Sequence, residues 1–144
     1  MILYLDTSAF IKLYVNEPGA DIIRAAVAET DQVHAHWITY PEMRSALARL
    51  HRMGRPSSEM FNRCKREFEK DWDLVSAIML DERVLRRAGE LAERHGMRGY
   101  DSVHLAAAES LRVGHGADFL CFASFDHQLN QSAQELGLRL LPLA

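Results

Sequence analysis

Ile2-Leu3-Tyr4-Leu5-Asp6-Thr7-Ser8 sets four apolar residues before one carboxylate and two hydroxyls. The apolar run reads as a buried strand, and Asp-Thr-Ser supplies the polar side chains that start a helix. The same succession then repeats along the chain. Helical spacing is expected over 9–15 and 20–28, broken between them by Asn16-Glu17-Pro18-Gly19, and a second strand over 32–38. Thr39-Tyr40-Pro41-Glu42 opens a helix with Met43, Ala46, Leu47 and Leu50 on one face, and a polar helix follows over 58–73. A third strand over 74–80 leads to a helix capped by Asp81, with Val84, Leu85, Ala88, Leu91 and Ala92 as its apolar face. Gly99-Tyr100-Asp101 begins another helix, which ends near Gly114-His115-Gly116. A fourth strand is expected over 119–123, a last helix from Ser124-Phe125-Asp126 to Gly137, and an edge strand over 138–141.

Strands alternating with helices imply right-handed crossovers and a central parallel sheet of about five strands, covered on both faces. The expected fold is therefore α/β in three layers, α/β/α. The 144 residues suit one domain, 1–144, large enough to bury a core without disulfide or metal staples. With 48% hydrophobic and 26% charged residues, the chain has ordinary globular composition, which excludes disordered and collagen-like classes. A net charge of −3 argues against a protein coated in positive charge that binds nucleic acid indiscriminately. Cys64 and Cys121 belong to no CxxC pair, and no secretory signal opens the sequence, so two reduced thiols in a cytoplasmic protein are expected. No apolar run approaches membrane length.

In a parallel sheet all strand C-termini share one edge, and ligands bind in the crevice there. Asp6 follows the first strand, Glu42 the second and Asp126 the fourth, so all three are expected at that edge. Asp101 has no strand directly before it, and this argument does not place it. Carboxylates gathered in one crevice repel each other and call for a hard divalent cation such as Mg2+ or Mn2+. Such clusters activate water for in-line phosphoryl displacement. Each acid also has a plainer reading. Asp6, Asp101 and Asp126 stand where N-caps stand, and Glu42 lies three residues after Thr39, the spacing of a capping box.

Other chemistries fail on missing residues. There is no Walker A sequence and no GxGxxG. Lys12, Lys65 and Lys70 are the only lysines, so a receiver domain lacks its late lysine, and Ser8 stands where a haloacid-dehalogenase-type phosphatase wants a second Asp. His34 and His36 share a strand face but have no third zinc ligand nearby. His104 lies one helical turn from Asp101 and reads as a hydrogen-bonding neighbour of the site. No GxSxG or reactive-cysteine context supports a covalent nucleophile.

Four segments in order resemble the PIN-domain family, specifically its VapC-type toxin ribonucleases. They are Leu5-Asp6-Thr7-Ser8-Ala9-Phe10-Ile11-Lys12-Leu13-Tyr14, Glu42 with the helix containing Ala46, Arg98-Gly99-Tyr100-Asp101-Ser102-Val103-His104-Leu105-Ala106-Ala107-Ala108, and Phe122-Ala123-Ser124-Phe125-Asp126-His127-Gln128-Leu129. The resemblance spans nearly the whole chain. It implies a PIN-like three-layer fold, with Asp6, Glu42, Asp101 and Asp126 as the acidic set for Mg2+ or Mn2+ and for catalysis. Ser8 and Ser124 match polar positions near that set, Ser124 standing where many relatives carry Thr. The implied reaction is hydrolysis of RNA phosphodiesters by metal-activated water, leaving a 5′-phosphate and a 3′-hydroxyl. The implied partners are an RNA substrate, a second copy in a homodimer and a cognate VapB-type antitoxin that covers the site.

An acidic pocket repels a polyanion, so positive charge must lie beside it. Residues 44–66 carry a net charge of +6 against −9 in the rest of the chain. Arg44, Arg49, Arg52 and Arg55 are the candidate RNA contacts from that stretch, whose other readings are a solvated helical surface and an antitoxin-docking face. Phe10, Leu13 and Tyr14 could line an antitoxin groove, though core is their default place. A non-toxic nuclease of RNA processing or repair, or a binding module whose acids merely cap helices, are the competing functions.

Overall fold

Leu3, Tyr4 and Leu5 are fully buried in the central strand of a five-stranded sheet. A computed structural model describes residues 1–116 and 118–143. Ala117 and Ala144, both within the expected 1–144 domain, lie outside the described residues. The chain runs β1 (Ile2–Leu5), α1 (Thr7–Phe10), a 3-10 turn (Ile11–Leu13), α2 (Ala20–Glu29), β2 (Gln32–His36), α3 (Thr39–Arg52) and α4 (Ser58–Trp72). It continues through β3 (Ser76–Ile78), α5 (Glu82–His95), α6 (Gly99–His115), β4 (Leu120–Ala123), α7 (His127–Glu135) and β5 (Arg139–Leu140).

The strand order is β3-β2-β1-β4-β5, and every pairing is parallel. Alternation along β1 divides the interior into two cores. Leu3 and Leu5 join Phe10, Ile23, Met43, Leu47 and Phe68 on one face, whereas Tyr4 joins Leu91, Leu105, Phe122 and Leu129 on the other. Helices α1 to α4 thus cover one face and α5 to α7 the other, which gives the three layers expected from the sequence. The chain builds outward from β1 to β2 and β3, then returns to place β4 and β5 on the opposite side. The order reverses between β1 and β4, and a crevice opens beyond the carboxyl ends of these strands.

Three expectations are corrected in detail. The helix expected over 9–15 is four α-helical residues followed by a 3-10 turn, a tightening common where a short helix reverses into a loop. The third strand is only Ser76–Ile78, because β3 is an edge strand paired with β2 alone, and Leu74, Met79 and Leu80 are exposed around it. Leu85 is exposed although placed on the apolar face of its helix, since Val84, Ala88 and Leu91 form the buried stripe and Leu85 lies a hundred degrees round from Val84. Phe10 and Tyr14 stack on each other and pack edge-on against Phe68, so both take the core place that is their default.

Candidate active site

Asp6 directly follows β1 and is almost fully buried. Its Oδ1 accepts from Ala9 N–H at 2.9 Å, which caps α1, and from Ser8 Oγ at 2.7 Å, while Oδ2 accepts from Ser124 Oγ at 2.5 Å. Ser8 and Ser124 therefore hold one carboxylate from both sides, and Ser8 Oγ also accepts from the Phe125 N–H at 2.8 Å. Burial still pushes the Asp6 carboxyl above its ordinary range, against the opposing pull of His104 and these three hydrogen bonds.

Glu42 lies in the first turn of α3, but it forms no capping box. The N-cap is Ile38, without a side-chain bond, and Thr39 Oγ1 is buried without a partner among the described residues. The Glu42 carboxylate turns toward β1 and α6 instead. Its Oε1 accepts from Thr7 Oγ1 at 2.7 Å and is 2.7 Å from His104 Nε2. Burial alone would raise its pKa, but the hydrogen bond from His104, the Thr7 bond and the neighbouring His104 and His36 rings together hold it below the ordinary range. Two carboxyls in one site are thus pushed in opposite directions.

Asp101 is not a cap either. The N-cap of α6 is Arg98, with no side-chain bond, and Asp101 Oδ2 accepts instead from Arg98 Nε at 3.2 Å. Asp126 does cap, its Oδ1 accepting from Leu129 N–H at 3.0 Å at the start of α7. Capping accounts for part of the bonding of Asp6 and Asp126 and for none of that of Glu42 and Asp101.

All four acids line one cleft of about 400 Å³ beyond the C-terminal ends of β1 and β4. Thr7, Ser8, His104, Arg49 and Arg98 share its walls. The donor set is oxygen-rich, and burial makes the Asp6 anion less favourable than in water despite three hydrogen-bond donors, a condition that a nearby cation relieves. Among the described residues, no three His, Cys, Asp or Glu side chains converge into a ready-made ligand cage. An oxygen-only donor set of dispersed carboxylates is the chemistry of a hard divalent cation that keeps water among its ligands.

The four basic candidates are dispersed. Arg49 follows Glu42 by two helical turns on the same face of α3 and lines the cleft. Arg44 lies on another face of α3 and pairs with Glu69 of α4 at 2.8 Å, and Arg55 pairs with Glu17 at 3.4 Å. Arg52 does not line the cleft, so the expectation of one basic face beside the acids reduces to Arg49. Arg98 and Thr7 belong to the site without having been singled out in the sequence. Thr7 stands between two assigned residues, and Arg98 sits one turn before Asp101, a spacing that itself suggests an ion pair.

A model of the PIN domain matches residues 3–134. Ribonuclease VapC49 of Mycobacterium tuberculosis is 34% identical over 141 residues, which cover 98% of this chain and 95% of that protein. The chain belongs to the PIN-domain family, in its VapC-type branch. The PIN fold is also that of FitAcB from Neisseria gonorrhoeae, with a TM-score of 0.70, 20% identity and coverage of 99% and 97% of the two chains. A toxin-antitoxin complex from Klebsiella pneumoniae gives a TM-score of 0.60 at 16% identity, over 86% of each chain. Asp6, Glu42, Asp101 and Asp126 open into the same cleft of this PIN domain.

Proposed function

We propose that this PIN domain is a metal-dependent endoribonuclease acting as the toxin of a toxin–antitoxin pair. The observation that carries the proposal is the convergence of Asp6, Glu42, Asp101 and Asp126 on one cleft, two of them free of any helix-capping duty. The VapC49 relative is itself called a ribonuclease, and the Klebsiella neighbour is a toxin-antitoxin complex. By analogy with them, the occupants of the cleft face are RNA and a VapB-type antitoxin, and the active unit is a homodimer in the cytoplasm. The single domain 1–144 carries the whole site.

The four carboxylates are the groups that would hold a divalent cation such as Mg2+ or Mn2+. When bound, such an ion would supply water activation and charge compensation for in-line displacement at phosphorus. The rest falls to the chain. Ser8 and Ser124 fix Asp6, while Thr7 and His104 fix Glu42 through Oε1 and leave its Oε2 without a hydrogen bond among the described residues. Arg49 and the exposed Arg98 offer the cationic groups that phosphates flanking the scissile bond require.

Purified protein is expected to cleave RNA with Mg2+ or Mn2+, and both EDTA and Asp6→Asn to abolish cleavage. In cells, wild type but not Asp6→Asn is expected to arrest growth, and co-expression of a cognate antitoxin to restore it. RNA cleavage that survives both EDTA and Asp6→Asn would sink the proposal.

A further inference from the structure

Tyr4 alternates with Leu3 and Leu5 along β1 and, by sequence, is simply one residue of an apolar strand. Its hydroxyl, however, lies 2.8 Å from His104 Nδ1, with both side chains almost fully buried. The other nitrogen of that ring, Nε2, lies 2.7 Å from Glu42 Oε1. A carboxylate only accepts, so Nε2 carries a proton and donates it to Glu42. Nδ1 is then an acceptor, and the Tyr4 hydroxyl donates to it. The opposite arrangement, with Nδ1 donating to Tyr4, would leave the hydroxyl proton with no acceptor among the described residues. Only one direction satisfies every buried group: Tyr4 to His104 to Glu42.

We propose that Tyr4 is a positioning residue of the site: its hydroxyl orients the His104 ring so that Nε2–H fixes Glu42 Oε1 and leaves Oε2 for the cleft and its ion. This deepens the ribonuclease reading and rests on it. Geometry supports it from two further sides. Thr7 Oγ1 donates to the same Oε1 at 2.7 Å, so both fixed donors converge on one oxygen and spare the other. The Tyr4 ring is itself held, stacked on Phe122 at 5.7 Å and edge-on to His104 at 6.0 Å, so the hydroxyl has little freedom to miss Nδ1. Outer-shell donors of this kind are worth about 10–100-fold in metal affinity.

Tyr4→Phe removes one oxygen and keeps the ring stack, so the fold survives. In metal-free protein, 15N-labelled at histidine, the wild type is expected to show His104 with one bare nitrogen and one N–H sheltered from solvent exchange. In Tyr4→Phe that proton is expected to exchange about five- to ten-fold faster, as loss of one buried hydrogen bond allows. Calorimetric titration with Mg2+ alone is expected to give about ten-fold weaker binding for Tyr4→Phe. His104→Gln, which can still donate to Glu42 and accept from Tyr4, is expected to bind within a few-fold of wild type, and His104→Ala to lose about 10–100-fold. Unchanged exchange and unchanged Mg2+ binding in Tyr4→Phe would overturn the proposal, as would a His104→Gln no better than His104→Ala. Wild type that takes up no Mg2+ would instead overturn the metal-dependent reading, while the exchange measurement, which needs no metal, still decides the relay.

Discussion

Ser124 Oγ donates to Asp6 Oδ2 and accepts from the Asp126 N–H at 3.0 Å. One buried hydroxyl therefore couples two acids from opposite ends of the chain. Ser124→Ala leaves Asp6 short of a donor and is expected to cost about 1–3 kcal/mol of stability. The same change is expected to weaken metal uptake by about 10–100-fold. Ser124→Thr keeps the hydroxyl and is expected to retain both, so urea unfolding and Mg2+ titration of the two variants separate the hydroxyl from the packing.

A cation that prefers the folded state must raise its stability. Mg2+ at about a hundred times its dissociation constant is expected to add about 2.7 kcal/mol, seen as a higher Tm that EDTA reverses. Asp6→Asn is expected to remove that response. A Tm indifferent to both Mg2+ and Mn2+ in the wild type would leave the acids as structural groups.

Arg49 and Arg44 stand five residues apart on α3 yet face different surroundings. Arg49→Ala is expected to weaken RNA binding across sequences and reduce the salt slope by about one. Arg44→Ala loses a half-exposed pair with Glu69, worth less than about 1 kcal/mol, and a hydrogen bond to the Tyr40 hydroxyl, both outside the cleft, and is expected to leave cleavage alone. Equal losses of RNA affinity in the two variants would refute the division of α3 into two faces.

Gly19 adopts φ +89°, and a Cβ there would sit 2.5 Å from the Phe125 ring. Left-handed backbone alone costs another residue about 1–2 kcal/mol. Because Phe125 lies between Ser124 and Asp126, the clash also displaces the turn that carries both. Gly19→Ala is expected to lose at least about 2 kcal/mol in chemical unfolding, and to lose RNA cleavage at temperatures where the protein is still folded.

His36 is fully buried, and its Nδ1 accepts from the Ile38 N–H at 3.0 Å while Nε2 has no partner among the described residues. Burial first, and then His104, push its pKa from an ordinary 6.5 down to about 4, against the opposite pull of Glu42 and Asp81. The folded value lies below the unfolded one, so the stability it protects is intact above about pH 6.5 and drains as pH falls toward about 4. The slope from this group approaches about 1.4 kcal/mol per pH unit inside that window. His36→Asn keeps an acceptor for Ile38 without the titration, and a wild type and variant with equal slopes between pH 6.5 and 4 would disprove the assignment.

Much of this was legible in the sequence because two of the acids follow strands directly. Asp6 and Asp126 inherit their place from β1 and β4, and once the sheet is parallel they must share an edge. Asp101 has no such guide: it reaches the cleft because α6 packs against α5 and the sheet, a tertiary fact that no local pattern records. Glu42 reaches the cleft from the first turn of α3, but the spacing from Thr39 suggests the wrong partner. Burial of that hydroxyl removed the capping box and freed the carboxylate for Thr7 and His104. Tyr4 was hidden because its ring satisfies the apolar pattern of β1, and only the three-dimensional register shows where its oxygen goes.

The pairing of β1 with β4 has a consequence for synthesis on the ribosome. Leu5 lies in register with Ala123, and Asp6 N–H donates to the Ala123 carbonyl. A nascent chain that has not yet extruded β4 has its first acid but neither Ser124 nor Asp126, and β1 lacks one of its two neighbours. The cleft is therefore a late product of translation, assembled only when the last fifth of the chain threads in beside the first strand. A copy truncated before β4 lacks Ser124 and Asp126 and never completes the cleft.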